Sequence, residues 1–432
     1  MIFRVYASYD RFHTGGIMSE NTKKVDTDYS LEAVPESSSE KRGFWAMFVV
    51  MLGFTFFSAS MSVGARMANA LEIPSFVTAV IIGGLILSIY TGLLAYIGQK
   101  TSLSMDLLAQ RAFGTKGSFL PSAMVSFTQI GWFGVGAGMF AYPVSEMTGI
   151  NTWTFVIIVG ALMTATAYFG MKAIAILSFI ACPLIAVLGS YSMFSAASEV
   201  EGGWAGVFGR TPGNITLVTA IGMVVGSFIS GGTATPNFVR FAKSAKVAIF
   251  TTVFAFFLGN TLMFLFGAAG GAYTGHDDIF YVMIAQGLAI PAIVILGLNI
   301  WTTNDSALYT AGLGLSNITK IRKKPMTLIA GAIATLASLW LYNNFIGWLS
   351  FLNATLPPVG AILVLDYFLH KEKYKAGSEP KETVNIWAML GVVFGALVAN
   401  FLPWGIASIN AMVVAAVFYL IGNTLKKNSK PA

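Results

Sequence analysis

GMVVGSFISGGTATPNF, residues 222–238, lies inside an apolar run long enough to cross a bilayer and carries its own interruption. Glycine lowers helix propensity, and proline removes a backbone donor. Gly226, Gly231, Gly232 and Pro236 therefore predict a broken helix with apolar halves. A second stretch, MLGFTFFSASMSVGA at residues 51–65, has the same character. Counting apolar runs along the chain, these are the first and the sixth. They lie about 170 residues apart, the spacing expected of two inverted repeats of five helices. A single glycine in such a helix is equally explained by close packing. The paired positions are what point to discontinuous helices.

The composition around them agrees. Of 432 residues, 56% are hydrophobic and 10% charged, and mean hydropathy is +0.72. Soluble domains carry roughly 25% charged residues. A disordered chain, a fibre and an ordinary soluble enzyme are excluded. The long continuous runs also argue against a β-barrel, whose strands alternate. The fold class is an all-α polytopic membrane protein. Twelve spans are predicted, at about 44–68, 75–97, 118–145, 152–171, 173–197, 214–241, 247–272, 291–315, 325–344, 346–369, 385–402 and 405–424. Residues 102–114 read as an amphipathic surface helix, and 276–287 as a short helix over the outer face.

Five organisational units follow: a disordered cytoplasmic tail (1–43), a first five-helix repeat (44–197), a second, inverted one (214–369), helices 11 and 12 (385–424), and a C-terminal tail (425–432). No apolar h-region precedes the polar tail, so no cleaved signal peptide is expected. Met18 reads as a natural start, which makes 1–17 an upstream extension. Net charge is +7. With the N-terminus inside, Lys100, Arg111, Lys172, Lys243, Lys320, Arg322, Lys371 and the C-terminal lysines fall on the cytoplasmic side. Arg66 and Arg210 fall outside, among six acidic residues. The positive-inside rule thus places both termini in the cytoplasm of a multi-pass inner-membrane protein. It also explains the basic charge without a nucleic-acid partner. Cys182 is the one cysteine, so no internal disulfide forms.

Discontinuous helices at matching positions mark a transporter site at the bilayer midplane. Few ionisable groups reach that depth. Asp305, in GLNIWTTNDSALY (297–309), is either a proton carrier or a helix–helix hydrogen-bonding group. Asn299, Thr302 and Thr303 share that helix. Together with carbonyls of Gly53 and Phe56 at the first break, they offer oxygens to a hard cation such as Na⁺. The threonines are equally suited to bond back to their own helix. In SFTQIGWFGVGAGMF (126–140), Gln129 and Trp132 share a face. An amide that donates and accepts, beside a stacking platform, suits a flat heterocycle. Ser227 and Phe228, at the predicted sixth-span break, add a second aromatic; core packing is the alternative for each. No paired acids, metal cluster or nucleophile–histidine pair occurs at one depth, so an enzyme is not expected.

These segments, with GSFISGGTATPNFVRFAK and LPPVGAILVLDYF, resemble the nucleobase:cation symporter-1 family over about residues 40–425. The resemblance implies a LeuT-like fold of five plus five helices and two more, alternating access, and no cofactor beyond Na⁺ as coupling ion. It assigns sodium to the carbonyls of Gly53, Phe56 and Asn299 with the hydroxyls of Thr302 and Thr303. It assigns the base to Gln129, Trp132 and Phe228, with Ser227 nearby. Gln followed by Trp three residues later matches the branch that carries cytosine; hydantoin carriers order the two differently. The expected partners are cytosine, Na⁺ and the lipid bilayer, with no obligatory protein partner. The alternatives are another nucleobase, hydantoin or allantoin as substrate, or proton coupling through Asp305.

Overall fold

The computed structural model describes residues 26–213, 215–276, 278–344, 355–402 and 404–428. Residues 1–25 with Met18, the opening of the tenth span, Asp277 and the last C-terminal residues lie outside the described residues. Among the described residues the chain is helical, with one isolated parallel bridge between Arg42 and Ala242. The first half comprises α1 Phe44–Thr55, α2 Ser58–Ala70, α3 Ile73–Thr101, α4 Met105–Phe113, α5 Phe119–Thr148, α6 Thr152–Tyr168, α7 Met171–Glu199 and the short α8 Trp204–Val207. The second comprises α9 Leu217–Thr233, α10 Pro236–Val239, α11 Ala245–Tyr273, α12 Ile279–Ala285, α13 Ala289–Thr319, α14 Lys323–Asn343 and α15 Pro357–Leu369. Two more follow, α16 Ile386–Phe401 and α17 Ala407–Asn428. By length and apolarity, α3, α7, α11, α14 and α17 each suffice to cross a bilayer, and α1 with α2 do so as a bent pair.

The two halves interlock. α11 packs along α1, α2 and α3, while α13 packs along α5 and α7. Glycines permit the closest approach: a Cβ on Gly64 of α2 would overlap the Phe264 backbone, and one on Gly267 would overlap that of Met61. Membrane helices, lacking a hydrophobic drive to associate, gain from such contact.

Helix one stops at Thr55 and restarts at Ser58, with axes 60° apart. Phe56 and Phe57 between them are extended. The sixth span departs from the sequence reading. α9 runs intact through Gly226, Gly231 and Gly232, so Phe228 lies within a continuous helix rather than at a break. The chain is interrupted at Ala234 and Thr235, whose amides bond three residues back, each at 3.1 Å. Pro236 then supplies no donor. Glycines in a packed helix keep their backbone bonds, and the missing proline amide decides the site.

The expected disordered tail needs a second correction over residues 26–43. Asp28, Ser30 and Val34 are buried. Asp28 pairs with Lys323 at 2.9 Å, both side chains at most 4% exposed. Arg240, fully buried, donates to the carbonyls of Asp28 (2.6 Å) and Tyr29 (2.9 Å) and to the Tyr309 hydroxyl (3.2 Å). Lys41 donates to Ser102 and to the Arg240 carbonyl, both at 2.9 Å. This strap crosses the ends of α3, α10, α13 and α14. The Asp28 carboxylate and the carbonyls of Asp28 and Tyr29 are satisfied by buried cations instead of water.

α4 lies outside the long apolar helices, capped by Ser104. Its Asp106 is 1% exposed and accepts from Ser122 Oγ at 2.7 Å; Oδ2 has no partner among the described residues. Burial pushes this carboxyl up to about 6, against the opposing pull of Ser122 and Arg240. A raised carboxylate favours the folded state most at low pH, and that contribution fades as pH rises through 6. Asp106→Asn is expected to be more stable than wild type at pH 8, by on the order of 2–3 kcal/mol, and so to unfold at a higher temperature. The gap should close by pH 4. Thermal unfolding in detergent at both pH values measures it, and a gap that ignores pH would refute the account.

Candidate functional site

The broken first span supplies carbonyls. The last carbonyls of a helix have no partner within it, and its dipole is negative there. Leu52 satisfies the Phe56 amide at 3.0 Å and the Thr55 hydroxyl at 2.9 Å. The carbonyls that follow turn towards α13. Thr303 Oγ1 lies 2.8 Å from the Phe56 oxygen, 3.3 Å from Phe54, 3.4 Å from Gly53 and 3.4 Å from Asn299. One hydroxyl donates once, so most of these lone pairs face the same small space unneutralised. Thr302 Oγ1 bonds back to Leu298 and Asn299, each at 3.1 Å. Gly53, Phe56 and Asn299 therefore converge on Thr303, with Phe54 as an oxygen the sequence reading missed, while the Thr302 hydroxyl turns back onto its own helix at the Asn299 carbonyl. Neutral oxygens at this density suit a hard cation.

Against this cage lies a narrow cavity of about 10 Å³. Gln129, Trp132, Ser227 and Phe228 all line it, as do Phe54, Phe57, Ser230, Gly231 and Thr303. Gln129 is 1% exposed, and its Nε2 has no hydrogen-bond partner among the described residues. Such an orphan is costly unless a ligand meets it. Trp132 Nε1 donates to Ser230 Oγ at 3.0 Å. That bond fixes the indole and leaves the serine proton free to donate. Ser227 Oγ donates to the Val224 carbonyl at 2.8 Å, which leaves its lone pairs to accept. Phe57 meets Trp132 edge-on at 5.4 Å, and Phe54 meets Phe228 edge-on at 5.3 Å. Each platform is thus buttressed by a phenylalanine of the first break. The named lining residues are neutral, and all are buried. The cavity's lining of aromatic rings and neutral polar groups suits an uncharged planar molecule, for which the walls must part.

Ser230 was legible at one helical turn from Ser227. Phe54 and Phe57 stand in the quoted break, of which the sequence reading used only the carbonyls of Gly53 and Phe56. Asp305 stands apart from the cavity lining. Its Oδ1 accepts from Thr166 Oγ1 of α6 at 2.6 Å, and Trp301 Nε1 donates to that same hydroxyl at 2.8 Å. The carboxyl is a tie between helices α6 and α13.

A family model described as permease for cytosine/purines, uracil, thiamine, allantoin matches residues 33–422. The cytosine permease of Escherichia coli (strain K12) is 48% identical over 402 residues, covering 93% of this chain and 95% of that one. The hydantoin permease of Microbacterium maritypicum is 21% identical over 393 residues, 82% and 80% of the two chains. Among solved structures, a nucleobase-cation-symport-1 family transporter in a closed conformation with bromovinylhydantoin bound matches with TM-score 0.78 at 20% identity, covering 92% of this chain and 96% of that one. A Na⁺-coupled sialic acid symporter in a substrate-bound outward-open state matches with TM-score 0.69 at 16% identity, covering 94% and 92%. Those two likenesses establish the fold. The match along residues 33–422, joined to near-half identity with a permease of almost equal length, establishes more: this membrane protein belongs to the family of permeases for cytosine/purines, uracil, thiamine and allantoin.

Proposed function

We propose that the chain imports cytosine across the bacterial cytoplasmic membrane, coupled to Na⁺ by alternating access. It does so through twelve crossings with both termini inside. The observation that carries the substrate reading is the orphaned amide of Gln129 in a buried lining of aromatic and neutral residues. Cytosine stacks between Trp132 and Phe228. Its carbonyl and ring nitrogen accept from Gln129 Nε2 and Ser230 Oγ, and its exocyclic amine donates to Ser227 Oγ. Uracil presents a carbonyl where cytosine has the amine. Two acceptors would then face each other, and a site built on hydrogen bonds rejects such an analogue strongly.

Na⁺ sits among the carbonyls of Gly53, Phe56 and Asn299 and the hydroxyls of Thr302 and Thr303. Thr303 supports the coupling, because it lines the cavity and also centres the oxygen cage. Filling either space fixes the wall of the other, so each ligand favours its partner reciprocally. One positive charge entering across 100 mV supplies about 2.3 kcal/mol, or roughly 50-fold accumulation.

The test is cytosine binding to the purified protein, titrated in Na⁺ and in K⁺ at constant ionic strength. Tighter binding in Na⁺ alone is expected. Equal affinity in both salts would remove the cage from the mechanism and leave proton coupling through Asp305. No binding in either would remove cytosine in favour of another base, hydantoin or allantoin.

A further inference from the structure

Ser58 is the first residue of α2 after the break. Its hydroxyl donates to Asn299 Oδ1 at 2.9 Å, and both residues are buried. Asn299 Nδ2 points to the Met263 sulfur at 3.5 Å, which turns the amide oxygen towards Ser58. The main-chain carbonyl of the same residue meets the hydroxyls of Thr302 and Thr303, at 3.1 and 3.4 Å. Asn299 therefore faces two ways: its backbone belongs to the oxygen cage, and its side chain holds the outer half of the first span. A carbonyl ligand can come from any residue, so the cage does not explain this amide.

Two residues further on, Ser60 Oγ donates to Asn260 Oδ1 of α11 at 3.1 Å. The two ties are alike in chemistry and burial. They differ in what they reach, because α13 bears cage oxygens and α11 contributes none of those named above.

We infer that Ser58 is a positioning residue for the cation: its bond to Asn299 clamps α2 onto α13 in the geometry that brings the carbonyls of the break to the hydroxyls of Thr302 and Thr303. The inference rests on the sodium reading above. The cage is assembled from two stretches of chain that no covalent bond holds together. Unless something pre-assembles them, the ion must do so itself, and that ordering is subtracted from its affinity. Removing the hydroxyl also leaves a buried amide oxygen unpaired in the cage-forming state. Seating α2 and binding the ion thus become one event.

The experiment measures cytosine binding by the full-length protein against Na⁺ concentration, with K⁺ keeping ionic strength constant. Ser58→Ala is expected to raise the Na⁺ concentration for half-maximal enhancement roughly five- to tenfold. Cytosine affinity at saturating Na⁺, and in K⁺ alone, should stay within about twofold of wild type. Ser58→Thr, which keeps the hydroxyl, should restore the Na⁺ curve. Asn299→Ala keeps the carbonyl and loses the amide; it should match Ser58→Ala, and the double variant should add nothing further. Ser60→Ala should leave the Na⁺ curve in place. An unshifted curve for Ser58→Ala overturns the inference, and so does an equal shift for Ser60→Ala, which would mean general loosening of α2. Should Ser58→Ala fail to fold, Asn299→Ala decides in the same way. A wild-type protein indifferent to Na⁺ overturns the sodium reading, and this inference with it.

Discussion

Trp132→Ala is expected to weaken cytosine binding about 100-fold, as read by calorimetric titration in saturating Na⁺. A stacked base is worth about 1–3 kcal/mol to its aromatic partner. The indole also forms one wall of the cavity and is held by Ser230 through Nε1. Its removal both ends the stacking and frees Phe57, which rests on it. A combined loss of about 3 kcal/mol corresponds to roughly 100-fold in Kd. Trp132→Phe separates the contributions: it keeps a ring for stacking and loses the bond to Ser230, so about tenfold is expected. An alanine variant within threefold of wild type would show that the base lies elsewhere.

The second large effect concerns Thr303. Thr303→Val keeps the side-chain shape and replaces the hydroxyl with a methyl. The carbonyls of Gly53, Phe54, Phe56 and Asn299 then converge on a group that cannot bond them. A hydrogen bond or ligand contact involving a charge is worth about 1.5–3 kcal/mol, so the Na⁺ requirement should rise 10- to 100-fold. Thr303→Ser, with the hydroxyl retained, should recover most of the loss. The readout is the Na⁺ dependence of cytosine uptake into proteoliposomes. Unchanged Na⁺ dependence in the valine variant would dismiss the cage. Because Thr303 also lines the cavity, a change in cytosine affinity at saturating Na⁺ reports the wall shared by the two sites.

Much of this site was legible because its signals are local. Gln129 and Trp132 sit three apart on one helix, as do Asn299 and Thr302, and helical periodicity alone puts each pair on a face. The first break was legible in a run of glycine, phenylalanine and serine. The sixth falls at Ala234 and Thr235, where Pro236, weighed beside the glycines, lacks its donor; Phe228 was misplaced at it because packing keeps the backbone bonds of Gly226, Gly231 and Gly232. What composition could not convey was the fate of residues 26–43. A stretch rich in Ser, Glu and Lys reads as solvated. Its partners, Arg240 and Lys323, are named by no local pattern. Asp305 illustrates the opposite difficulty: a lone acid in an apolar run demands a role, and Thr166, which provides one, lies on a different helix.

The strap has a consequence for how the chain is made. Asp28 meets Arg240 across 212 residues, and Ser30 meets Lys323 across 293. A ribosome adds about 5–20 residues per second. Residues 28–30 must therefore wait tens of seconds after leaving it before their partners exist. Throughout that interval Asp28 has neither cation to meet it, and the helix ends it will cover are still being inserted. A segment made before any of the helices is thus among the last to find its place, and its docking follows the synthesis of the eight predicted spans between it and Lys323.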